Sequence, residues 1–219
     1  MADTIGLVGD GDDTDLLEAI EGSFQVKFGE AATKCSTVGD IYEALLDLVP
    51  TSSVSGLCAT SMAFYRVRST LKVADNGDPI RPSTRLAGIT SLPPKRLYAL
   101  LAQELGVGRL QQTLSARGCV GIVVLLAGTV GGLLAFAQPV LWPALLLIPV
   151  GFEITRRDEG AYYATTVGDL ARNVARSNFS VFASNGADAR PAALWRTLCE
   201  LIADETGVTK VSASTRLFA

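Results

Sequence analysis

Between Gly118 and Phe152 the chain runs 35 residues without a charged side chain. A soluble domain buries apolar helices of about 10–14 residues, whereas a bilayer-spanning helix needs about 20. The first part, Cys119 to Ala137, has the length of one span. Gln138-Pro139 interrupts it, and the second part, Val140 to Phe152, is shorter and carries Pro143 and Pro149, residues that kink or end helices. The pattern predicts a transmembrane hairpin over 118–152, with one full span and a short, broken return. Gly128, Gly131 and Gly132 suit close approach of the two legs.

Arg109 and Arg117 precede the stretch, and Arg156 and Arg157 follow it. Basic residues beside membrane segments stay on the cytoplasmic side. A single crossing would strand one pair, so both ends are expected on one face, with these four arginines against lipid headgroups. The expected location is an integral membrane protein, of a bacterial inner membrane, with its soluble parts in the cytoplasm. The acidic start, MADTIGLVGDGDD, has no signal-peptide pattern. Tyr162, Tyr163 and Trp142 fit the headgroup belt, and Trp195 a packed core.

Composition narrows the function. The chain has no histidine and a net charge of −3. The commonest general base and metal ligand is therefore missing, and nucleic acid is not an expected partner. Cys35, Cys58, Cys119 and Cys199 are scattered without a CxxC pair, so neither a zinc site nor a disulfide framework is suggested. Cys119 reads as a small buried apolar residue, with acylation as the alternative. No nucleophile–base pair and no charge within the spans point to an enzyme or a transporter.

Outside the hairpin the pattern is helical. Leu16, Leu17, Ile20 and Phe24 share one face of a helix over 13–24. Thr37 is placed as N-cap of a second helix with Asp40 at N3, and Pro50 ends it. A helix over 57–73 offers Met62, Phe64, Tyr65, Val67 and Leu71. Another begins at Pro93 with Ser91 placed to cap it and Leu97, Leu100, Leu101 and Leu105 inward. A short helix follows Thr166, and the last begins after Pro191.

Two stretches recur. Thr37-Val-Gly-Asp-Ile41 nearly repeats as Thr166-Val-Gly-Asp-Leu170, and Ser83-Thr-Arg-Leu86 repeats as Ser214-Thr-Arg-Leu217. Paired repeats indicate two related modules. Together with DLLEAIEGSF and LIADETGVTKVSASTRLF, they resemble the acyl carrier protein family, which are four-helix bundles. The resemblance implies an all-α fold of two small bundles. Their order in this chain is unusual: one module joins 1–50 with 191–219 as a circular permutant, and the other joins 57–110 with 160–180 and is split by the hairpin. Termini that meet in space permit permutation; completion by a domain-swapped partner or a truncated reading frame are the alternatives.

Carrier proteins bear phosphopantetheine on a serine at the start of the second helix. By this resemblance Asp10, which has no hydroxyl, stands at that place in the permuted module, and Ser91, within Thr90-Ser91-Leu92, in the other. Thr90 in place of an acid and Pro93-Pro94 beyond depart from the family pattern. The family's acidic second helix docks on basic partners, a role that falls here to Asp12, Asp13, Asp15, Glu18 and Glu21. Lys95 and Arg96 make the matching helix basic. The expectation is a non-catalytic, membrane-anchored carrier-like docking or assembly subunit that binds membrane lipids and other membrane-associated proteins. It would need no cofactor. The alternative is a working acyl carrier through phosphopantetheine on Ser91, serving membrane lipid metabolism.

Overall fold

The computed structural model describes residues 3–7, 12–73, 79–89, 92–107, 110, 115–134, 138–158, 160–161 and 164–218, with the side chains of 12, 13, 73, 139 and 141 left out. Nine α-helices are described: α1 Asp12–Phe24, α2 Val38–Leu48, α3 Ala59–Val73, α4 Pro94–Leu105, α5 Ala116–Leu134, α6 Leu147–Arg156, α7 Val167–Ser177, α8 Phe179–Ser184 and α9 Pro191–Thr206. Two short strands, β1 Thr4–Leu7 and β2 Arg216–Phe218, pair in parallel with Thr4 opposite Arg216 and Leu7 opposite Phe218. The fold is thus mostly helical, and the segments near the two ends of the chain lie side by side.

Apolar side chains gather into two cores. The first takes Leu16, Ile20 and Phe24 of α1, Val38, Ile41 and Leu45 of α2, Leu194, Leu198 and Ile202 of α9, and Ile5 and Leu217 of the strands. The second takes Ala63, Val67 and Leu71 of α3, Leu97, Tyr98 and Leu101 of α4, and Val167, Leu170 and Val174 of α7. The i, i+3 and i, i+4 spacings of these residues place each set on one helical stripe. Two expected inward residues face out instead: Tyr65 is 65% exposed and Leu100 39%. Ala63 and Tyr98 are buried instead, because the inward stripes run through Ala63, Val67 and Leu71 of α3 and through Leu97, Tyr98, Leu101 and Leu105 of α4. The six-residue α8 feeds both cores, Phe179 the first and Phe182 the second. Phe179 meets Phe24 with ring centroids 5.0 Å apart.

The two repeats meet in space, and they do so twice. The Thr215 carbonyl accepts from Val38 N–H at 3.0 Å, and Ala213 carbonyl from Gly39 N–H at 2.9 Å. In the other half the Thr84 carbonyl accepts from Val167 N–H at 3.0 Å, and Pro82 carbonyl from Gly168 N–H at 2.8 Å. A return bond runs from Leu217 N–H to Ser36 O in one and from Leu86 N–H to Thr165 O in the other. Each loop is folded by its own threonine, whose hydroxyl accepts from Ser212 N–H or Arg81 N–H at 2.9 Å. Each helix is closed by a reciprocal capping box, Thr37 with Asp40 and Thr166 with Asp169, which satisfies amides that the first turn leaves free. Glycine is required at both junctions. A Cβ on Gly39 would lie 2.8 Å from Ala213 O, and one on Gly168 2.9 Å from Pro82 O.

Helices α5 and α6 form a hairpin that belongs to neither core. The return leg is longer than its sequence suggests. It starts as a 3-10 helix, Pro139–Leu146, and continues directly as α6 to Arg156. At ~2.0 Å per residue for eight 3-10 residues and ~1.5 Å for ten α residues, it is roughly 31 Å long, against roughly 28 Å for α5. Pro143 and Pro149 do not break it, because the 3-10 geometry and the fresh start of an α-helix accommodate residues that lack an N–H. The legs touch through glycine. A Cβ on Gly151 would lie 2.5 Å from Leu125 N, and one on Gly128 2.8 Å from Ile148 N. Of the described helices, α5 is the one long and apolar enough to cross a membrane.

Candidate functional site

Three places were singled out by sequence: the serine of α4, the acidic face of α1 and the arginines of the hairpin. Ser91 and Thr90 lie outside the described residues, as does Asp10 in the other half. Helix α4 itself begins at Pro94 with Pro93 as N-cap and no side-chain cap bond. Pro93 takes the extended conformation at φ −63°, ψ 148°.

On α1, Asp15 and Glu18 are exposed; the side chains of Asp12 and Asp13 lie outside the description. Glu21 has an internal task. Its carboxylate accepts from Phe28 N–H at 2.9 Å and pairs with Lys27, closing the turn after the helix. The Lys27 hydrogen bond, followed by the Phe28 amide, holds the Glu21 carboxyl below its ordinary range. Gln25, in that turn, adopts φ 53°.

Beneath α1 lies an apolar cavity of about 220 Å³, walled by Leu16 and Leu17, by Ala32 and Cys35, by Ile41 of α2 and by Leu217 and Phe218. Leu17, expected in the core, is half-buried at this wall. Burial pushes the Cys35 thiol up, so it behaves as an apolar lining group.

The hairpin arginines share one end. Arg117 opens α5, and Arg156 and Arg157 close α6, all three exposed; Arg109 lies outside the described residues. The two ends are clasped by Asp158, which accepts from Ser115 N–H at 3.1 Å and from the Ser115 hydroxyl. Arg156 grips Glu153 through two bonds of 2.9 and 3.0 Å, and Arg157 adds a third. Cys119 is exposed rather than buried, whereas Gly121 packs against Ile154 and Thr155 of α6. Tyr162 and Tyr163 lie outside the described residues. Trp142 is 56% exposed on the return leg, while Trp195 packs edge-on against Tyr42 at 5.1 Å.

Sequence reasoning missed one polar cleft, where α3 begins and α7 and α9 pass each other. It has a volume of about 310 Å³ and is lined by Cys58, Thr60, Arg172, Arg176, Arg196 and Glu200, among others. The available signal was Cys58-Ala-Thr-Ser ahead of a helical pattern, a cysteine at a capping position; its partners come from 114 or more residues away and leave no local trace. Among the described residues, no group of three or more acidic or cysteine side chains converges as a metal site would need.

Compared with known proteins, the chain matches no family model, no curated protein and no solved structure.

Proposed function

We propose that this chain is a membrane-anchored, non-catalytic carrier-like protein, a docking or assembly subunit held at the cytoplasmic face of a membrane by the α5–α6 hairpin. What carries the reading is the exterior of that hairpin. Val120, Val123, Leu126, Val130 and Leu133 of α5, and Val140, Leu146, Val150 and Phe152 of the return leg, are all at least half exposed. Leaving so many contiguous apolar side chains in water is unfavourable by ~25 cal/mol per Å² of apolar surface, and lipid removes that penalty. Both legs are close to the ~30 Å of a hydrocarbon core. Arg117, Arg156 and Arg157 at the shared end fit the headgroups of the cytoplasmic leaflet, and Trp142, near the turn, fits the far interface.

The carrier-like part rests on the twin junctions. Two bundles built from the same loop-to-helix contact agree with duplicated modules, one continued through both ends of the chain. Asp15 and Glu18 then offer charge to steer a basic partner.

The test is extraction of native membranes with alkaline carbonate, followed by intact-mass measurement of the detergent-purified chain. Retention in the pellet is expected, together with its loss in Leu126→Arg, where a charge enters the apolar exterior at a cost of ~2.5–3.5 kcal/mol. Recovery of the wild-type chain as a soluble monomer would overturn the anchor. A mass gain of one phosphopantetheine, absent in Ser91→Ala, would replace the docking reading with that of a working carrier.

A further inference from the structure

The two bundles carry opposite charge. Residues 1–50 and 191–219 hold 14 acidic and 5 basic side chains, whereas 57–110 and 160–180 hold 4 acidic and 10 basic. Net charges of −9 and +6 are thus hidden in a total of −3. The bundles do not neutralise each other: among the described residues, Arg176 with Asp204 is the one ion pair that joins them. On the first bundle Asp15 and Glu18 of α1 and Glu43 and Asp47 of α2 are exposed, and no described ion pair uses them.

On the second bundle five exposed cations follow one another along the chain. Lys72 lies in the last turn of α3, Arg81 and Arg85 stand on the loop that meets α7, and Lys95 and Arg96 open α4. Among the described residues none of the five has an ion-pair partner. Lys95 and Arg96 sit where the helix dipole disfavours cations, in a first turn that holds no acid. Cations kept there without an internal partner find their counter-charge outside the chain. Their loop is also tethered to the hairpin. Arg85 lies opposite Thr166, and the Thr84 carbonyl accepts from Val167 N–H at 3.0 Å. From Arg157, at the hairpin base, to Val167 is ten residues, at most ~36 Å of extended chain. The hairpin is flanked in sequence on both sides by the basic bundle, and the acidic one is reached only through it.

We propose that the second bundle is itself a lipid-binding module, which rests Lys72, Arg81, Arg85, Lys95 and Arg96 on anionic phospholipid headgroups and turns the acidic bundle away from the membrane. The proposal rests on the hairpin anchor argued above. Lipid is favoured over a soluble acidic partner because the anchor holds the bundle beside the bilayer, at a high effective concentration of headgroups. Each cation near an anionic surface strengthens binding about fivefold. This attraction acts within a Debye length, about 8 Å at physiological salt, so the bundle must lie on the surface to feel it. The same field repels the first bundle and leaves Asp15, Glu18, Glu43 and Asp47 presented to the cytoplasm, where they steer a basic partner.

The experiment adds the detergent-purified full chain to preformed vesicles, either of phosphatidylcholine alone or of equal parts phosphatidylcholine and phosphatidylglycerol. Floated vesicles are treated with a membrane-impermeant acetylating ester, and labelling of each lysine is followed by peptide mass spectrometry. Lys72 and Lys95 report the basic bundle, and the exposed Lys34 and Lys210 report the acidic one. On anionic vesicles Lys72 and Lys95 are expected to label severalfold more slowly than on neutral ones, an effect removed by high salt, while Lys34 and Lys210 keep their rates. Replacing Arg81 and Arg85 together by glutamine should weaken that protection severalfold. Flotation with both vesicles but equal labelling of Lys72 and Lys95 on each would overturn the proposal alone. Protection already present on neutral vesicles, and rising with protein density, would overturn it in favour of the acidic bundle of a second copy. Failure to float with neutral vesicles would overturn the anchor, and this proposal with it.

Discussion

The two junctions are built alike, yet the chain leaves them differently. At the Thr37 junction the loop ends in β2, and its neighbour β1 starts near the opposite end of the chain. At the Thr166 junction the loop runs on through a 3-10 turn, Leu86–Gly88, to α4, and the hairpin intervenes before the helix returns. The bonds between loop and helix agree within about 0.2 Å in every pair despite these different connections. What is common is therefore local: a threonine-folded loop, a glycine that lets its carbonyl approach, and a capped helix. A fold that stores its specificity in such a contact tolerates cuts and insertions elsewhere, since loop closure grows only slowly with length.

If the two halves are equivalent, matched substitutions must have matched effects. The largest are expected from the core. Ile41→Ala and Leu170→Ala remove corresponding buried side chains of α2 and α7, each at a cost of ~2–5 kcal/mol. Hydrogen exchange read by mass spectrometry should show the loss of protection first in the half that carries the substitution. Equal loss throughout would mean that α8, through Phe179 and Phe182, fuses the cores into one cooperative unit, and the comparison would have to be made between surfaces rather than halves.

Next come the glycines. Gly39→Ala and Gly168→Ala place a methyl under 3 Å from a backbone carbonyl, and each is expected to destabilise by ~1–3 kcal/mol, as overpacking does. In an unconstrained helix the same change would stabilise by roughly 0.5–1 kcal/mol. The sign alone, measured by urea unfolding, decides whether the close approach matters. A destabilised Gly39→Ala beside a stabilised Gly168→Ala would break the equivalence.

Much of this was legible because it is local. The capping signature Thr-x-x-Asp marked both junction helices, and an uncharged stretch bounded by arginines marked the hairpin. The pairing of β1 with β2 joins residues more than 200 positions apart, and three- and four-residue strands carry too little alternation to announce themselves. On α4 the inward stripe runs through Leu97, Tyr98, Leu101 and Leu105, so Tyr98 is buried and Leu100 is not, although leucine is the more apolar side chain. The return leg was underestimated because prolines read as breaks, whereas a 3-10 helix extends farther per residue. Of the cleft at Cys58 the sequence shows only the cysteine at a capping position: Arg172, Arg176 and Arg196 come from α7 and α9, and only packing brings them to α3.

The smallest effects test the caps. Thr37→Ala and Thr166→Ala should each cost ~1 kcal/mol. The Thr37 junction carries an additional acid dependence. Asp40 accepts from Ser36 N–H at 2.8 Å, Thr37 N–H at 2.9 Å and the Ser36 hydroxyl at 3.0 Å. These bonds, led by the Ser36 amide, bring its carboxyl down to about 2. Because the folded value lies below the unfolded one of ~3.9, the carboxylate stabilises the junction fully above about pH 4. That contribution fades as pH falls toward 2. Urea midpoints of wild type and Asp40→Asn, followed by Trp195 fluorescence in a Trp142→Phe background, should therefore differ at pH 6 and converge as pH falls through this window. A gap that persists at pH 2 would mean that the asparagine fails as a cap for reasons of shape, and that charge has little part in closing α2.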